Sequence, residues 1–175
     1  AGHGASAEGA EAGQSTASAL KGLALEIDGY VLSPVEAPGA VGEPGELSFQ
    51  IQDADGIPVT EYTTAHDKDL HLIVARADGT QFRHVHPVLD EATGTWSLPW
   101  QWESAGTYRV FADFTTAEAS SLTLSRTVQV AGDFAPVAAE LSQTDEVAGF
   151  EVSLEGEMVA GSPSELTINV TRDGT

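Results

Sequence analysis

From Leu23 onward, apolar residues recur at every second position in runs of five to nine, with turn signals between the runs. That period fits strands with one buried face, and no stretch keeps the 3.6-residue period of a capped helix. Leu47-Ser48-Phe49-Gln50-Ile51 alternates cleanly and stops at Asp53-Ala54-Asp55-Gly56. Leu70–Arg76 runs into Asp78-Gly79 and is followed by Gln81–His86. Thr107–Phe114 sets Tyr108, Val110, Ala112 and Phe114 on one face, and Leu122–Val130 closes the series. Shorter runs, Leu23–Ile27 and Tyr30–Leu32, flank Asp28-Gly29. Thr95–Trp102 contains Pro99, whose missing N–H predicts an edge strand or a bulge. Strands of this length at this spacing predict an all-β, antiparallel β-sandwich.

The remaining composition narrows the chemistry. The 175 residues contain no cysteine, which removes disulfides, thiolate metal sites, iron–sulfur clusters and cysteine nucleophiles together. Twenty-seven acids against seven bases leave a net charge of −20. Such a chain repels phosphate backbones and anionic membrane surfaces, and it favours cations. An acid excess with only two lysines, Lys21 and Lys68, also fits a salt-adapted source, so the charge alone does not assign cation binding. No apolar run approaches the ~18 residues that a membrane span needs.

Residues 1–20 are small, polar and acidic, and are expected to be a flexible tail. Ala1 stands where a Met would begin a nascent chain, so the chain is read as processed or trimmed, and a tail of this kind behind a removed signal or a lipidated Cys is common in exported bacterial proteins, which makes export the expectation. One domain is expected over 21–132 and a linker over 133–147. Residues 148–175 are expected to open a second copy of that domain. The evidence for the copy is that Gly161-Ser162-Pro163-Ser164-Glu165-Leu166-Thr167-Ile168-Asn169-Val170 lines up with Gly42-Glu43-Pro44-Gly45-Glu46-Leu47-Ser48-Phe49-Gln50-Ile51. With one change of offset the match continues as Asp173-Gly174 against Asp55-Gly56.

Four of the five histidines, His66, His71, His84 and His86, lie close together in sequence. Their spacing has a geometric meaning. His84 and His86 are two apart on one strand and share a face. If Asp78-Gly79 is a two-residue hairpin loop, Ala77 opposes Thr80 and His71 opposes His86, with His84 diagonal. Opposed Cβ atoms lie about 5 Å apart and diagonal ones about 7–8 Å. Three imidazoles so placed can converge on one ion, with metal–nitrogen bonds near 2 Å. His66, just before the strand, is the expected fourth ligand. A one-residue slip would turn His71 to the other face and dissolve the site. Leu70, Leu72, Val74 and Val85 occupy the opposite, core-facing side of the hairpin, while Ile73 and Phe82 share the histidine side. Asp67, Asp69 and Asp90 are candidates to orient the imidazoles, or are solvated turn acids.

All-imidazole ligation without cysteine suits copper(II), zinc(II) or nickel(II), and copper(II) is ranked ahead of zinc(II) here. Ala1-Gly2-His3 is a weaker second site, because a free amine, two amides and the His3 ring can wrap copper(II) in a plane. Trp96, Trp100 and Trp102 share parity and form either an aromatic platform or core. No Gly-x-Ser-x-Gly elbow and no phosphate loop occurs, and the expectation is a protein that is not an enzyme. A His-held zinc hydrolase is the remaining enzymatic alternative.

Ala105-Gly106-Thr107-Tyr108-Arg109-Val110 resembles the Gly-x-Tyr-x-Val stretch of immunoglobulin-like domains, where the tyrosine anchors a corner. The stretches His66–Val74, Phe82–Pro87 and Gly106–Phe114 together resemble a group of exported, actinobacterial-type proteins carrying H-x4-H and H-V-H-P motifs. They are also distantly similar to YtkA-like and periplasmic copper-handling β-sandwiches. The resemblance spans roughly residues 23–175 and implies an exported immunoglobulin-like fold associated with copper or another heavy metal. The expected partner is a metal ion, with another envelope protein as a further candidate. The alternative reading is an adhesive or scaffolding envelope module whose histidines are structural.

Overall fold

A computed structural model describes residues 22–118, 121–138 and 140–172. The described residues are all β, with no helix among them and three antiparallel sheets. Two compact units divide after Pro136.

The first unit holds nine strands. These are β1 (Glu26–Ile27), β2 (Tyr30–Leu32), β3 (Gly45–Gln52), β4 (Leu70–Arg76), β5 (Arg83–Val85), β6 (Val88–Asp90), β7 (Thr95–Trp100), β8 (Gly106–Phe114) and β9 (Leu122–Val130). One sheet runs β1-β2-β3-β7-β6 and the other β5-β4-β8-β9. The expected alternation fills the space between them. Leu47, Phe49 and Ile51 from β3 join one core with Leu70, Leu72 and Val74 from β4 and Tyr108, Val110, Ala112 and Phe114 from β8. Residues between these point outward and are less buried, as a period of two requires.

Trp96, Trp100 and Trp102 are all buried in this core, which removes the aromatic platform. Trp102 also lies beyond β7, which ends at Trp100. Its Nε1–H donates to the Pro38 carbonyl at 2.8 Å and its ring lies 4.4 Å from Tyr108. The Tyr108 hydroxyl donates to the Ser104 carbonyl at 2.8 Å, the corner-anchoring bond expected of that tyrosine.

Strand β6 has no counterpart in the sequence reading. β5 ends at Val85, Pro87 two residues on supplies no N–H to continue its ladder, and the chain passes to the other sheet, where Val88 pairs with Ser97 of β7. The expected linker is used at both ends. Phe134 lies under the Arg76 guanidinium in the first unit, and Thr144–Val147 is already a strand of the second.

The second unit is a three-stranded meander of β10 (Thr144–Val147), β11 (Phe150–Glu155) and β12 (Thr167–Arg172).

Candidate metal centre

The site is built on the β4–β5 hairpin. Leu72 pairs with Val85, Ile73 with His84 and Val74 with Arg83. This is the register the sequence predicts, but the turn that delivers it is different. Instead of a two-residue loop, the Gly79 N–H donates to the Arg76 carbonyl at 2.9 Å, and the Arg76 N–H donates to Thr80 at 2.9 Å. Gly79 sits at φ 82°, where a side chain is strained. This longer loop alone would slip the strands by one residue. Gln81, at φ 55°, is an extra residue on the β5 side that restores the pairing by Val74 and Arg83. Inward-facing Arg83 lies 4.6 Å over the Trp100 ring, and Leu72 is fully buried behind Val85, which turns His71, His84 and His86 outward.

Three nitrogens meet on that outer face. His71 Nδ1 lies 3.1 Å from His84 Nε2 and 3.0 Å from His86 Nε2. On its other side, His71 Nε2 lies 3.1 Å from the Ala65 carbonyl. A carbonyl only accepts, so in the neutral ring Nε2 carries the proton and Nδ1 presents its lone pair to the other two rings. Ligand atoms of His71, His84 and His86 all lie within 4.8 Å of one another, and this group can hold a metal ion. His71 is half-buried, whereas His84 and His86 are exposed. Partial loss of solvent around its charged form, followed by His71, His84 and then Lys68, holds the His86 imidazole below its ordinary pKa.

The other sequence candidates fall as follows. His66 is exposed at φ 53° in the Ala65–Lys68 turn, with its ring centroid 6.3 Å from that of His71, outside the three-nitrogen group. His3 lies outside the described residues. The three aspartates are turn acids. Asp69 accepts from the Thr64 hydroxyl, Asp90 accepts the Ala92 N–H at 2.9 Å, and Asp67 occupies the turn at φ 64°. The group that orients His71 is the Ala65 carbonyl, which no side-chain pattern in the sequence announces.

No curated protein and no solved structure matches the chain. One family model does, over more than half of the chain and across all nine strands of the first unit with its histidine hairpin. On the match of residues 25–132, the chain belongs to the family described as Domain of unknown function (DUF8832).

Proposed function

We propose that this chain is an exported metal-binding protein that captures copper(II), and zinc(II) second, at His71, His84 and His86, for buffering or delivery. The observation that carries this reading is the convergence of three nitrogens, one from each ring, while the other nitrogen of His71, Nε2, is occupied by a backbone carbonyl. A metal with bonds of about 2.0–2.1 Å spaces neighbouring ligand nitrogens about 2.9 Å apart at a right angle and about 3.4 Å at a tetrahedral angle. The close spacings of 3.0 and 3.1 Å fall between those two values and admit either ion, and copper(II) is ranked ahead of zinc(II) because it binds nitrogen ligands more tightly in the divalent series. His66, exposed on the neighbouring turn with its ring 6.3 Å from that of His71, is the fourth ligand of this reading only after its side chain turns toward the group, and open positions remain for water or an acceptor's ligand. The −20 charge raises the local concentration of cations. Export is supported by the acidic, small-residue stretch at the start and by the resemblance to exported domains.

His84 and His86 each point Nε2 at His71 Nδ1, whose single lone pair accepts one N–H bond, so in the metal-free protein one of these two Nε2 atoms is the donor. Binding through Nε2 requires the donating ring to move that proton to Nδ1, a tautomer change with no net proton release. The reading is of binding rather than catalysis, because two of the three ligands are exposed and no turn acid is aimed at the group.

Isothermal calorimetry on the full chain carrying His3→Ala tests it. One copper(II) should bind per chain, and His84→Ala with His86→Ala should weaken it at least ~100-fold, as loss of two of three ligands implies. Binding that survives the double substitution would refute the site.

A further inference from the structure

The second unit repeats the first three strands of the first unit in conformation as well as in sequence. The β1–β2 turn has Asp28 at φ 53° and Gly29 at 82°, and the β10–β11 turn has Ala148 at 52° and Gly149 at 80°. Gly42 and Gly161, which align in sequence, have φ 77° and 78°. The registers also coincide. Ile27 pairs with Tyr30 as Val147 pairs with Phe150, and Leu32 pairs with Ile51 as Val152 pairs with Val170.

This correspondence maps the core face of β1–β2–β3 onto one face of the second sheet. Ile27, Tyr30, Leu32, Leu47, Phe49 and Ile51 become Val147, Phe150, Val152, Leu166, Ile168 and Val170, all apolar. The opposite face carries Glu151, Ser153, Glu155, Thr167, Asn169 and Thr171. In the first unit Phe49 and Ile51 are 3% and 0% exposed beneath β4, β8 and β9. Their equivalents Ile168 and Val170 are 66% and 60% exposed. Asp145 and Arg172 border the same face, Arg172 with its guanidinium 5.0 Å over the Phe150 ring, and between them the exposed Ile168 and Val170 form an apolar interaction surface whose counterpart the first unit shows.

We propose that residues 144–172 are the first sheet of a second sandwich of the same kind. Its exposed apolar face receives an antiparallel sheet with alternating aliphatic residues, built like β5–β4–β8–β9.

The test joins a second copy of residues 54–132 directly after Arg172, where the correspondence places it. Amide hydrogen exchange is then followed across 150–155 and 167–172. Those amides should exchange at least ~100-fold more slowly than in the 175-residue chain, as packed strands do. Val170→Glu should abolish the gain, and Thr171→Glu, on the polar face, should keep it. Unchanged exchange overturns the proposal. A second measurement holds even if the fusion misfolds. The 175-residue chain should bind an apolar-surface dye, and Ile168→Glu with Val170→Glu should remove most of that fluorescence, whereas dye binding that ignores both substitutions overturns the proposal. A dimer in sedimentation that Val170→Glu dissociates would assign the face to a second copy of the chain and overturn it equally.

Discussion

His71 differs from the two exposed histidines because both of its ring nitrogens are committed, one to the Ala65 carbonyl and one to its neighbours. Nitrogen-15 spectra should therefore show His71 protonated at Nε2 with and without metal, while the ring that donates to it, His84 or His86, moves its proton from Nε2 to Nδ1 on loading. A His71 signal that changes tautomer on loading would contradict the assignment of Nδ1 as its ligand atom. The pH dependence has a definite sign. The His86 pKa is lowered on folding, chiefly by lost solvent and then by His71 and His84, so the unfolded chain takes up this proton first. Stability from this group is lost as pH falls through the ordinary histidine value, about 6.5, and is retained above it. Metal affinity changes in the same direction, because ions bind neutral imidazole. Calorimetry between about pH 7.5 and 5.5 should show affinity falling with acid. A flat profile would exclude imidazole ligation.

At the level of elements, the hairpin register was legible and its turn was not. Alternation of Leu70, Leu72 and Val74 against Val85 fixes which residues face the core, so the burial of those side chains dictates the pairing whatever the loop does. The loop itself depends on backbone angles at Gly79 and Gln81, and two local departures cancel. Gln81→Gly should relieve a left-handed non-glycine residue and raise stability by about 0.5 kcal/mol without changing metal affinity. Gly79→Ala should cost about 1 kcal/mol in denaturant melts. Strand β6 escaped the sequence reading because Val88–Asp90 is too short to display a period. The three tryptophans share parity in either of their two readings, and only their burial decides for the core.

On the scale of the molecule, the first unit is a two-sheet core to which a surface hairpin adds the chemistry. Trp102, 1% exposed and hydrogen-bonded to Pro38, belongs to the buried core and not to the histidine group, so Trp102→Ala should cost about 3–5 kcal/mol of stability. Metal at a hundredfold excess over its dissociation constant should stabilise the folded state by about 2.7 kcal/mol, seen as a raised melting temperature that the His84→Ala/His86→Ala chain lacks. The site's three ligands are separated by at most fifteen residues, all within one hairpin and its flanks. A hairpin forms in microseconds and closes only a short loop, whereas pairing β3 with β7 must wait for a much longer one. On contact separation alone, the ligands are expected to come together before the sandwich is closed. An ion met during folding can be taken up at once, and some of its binding energy is then shared with states that are not yet native.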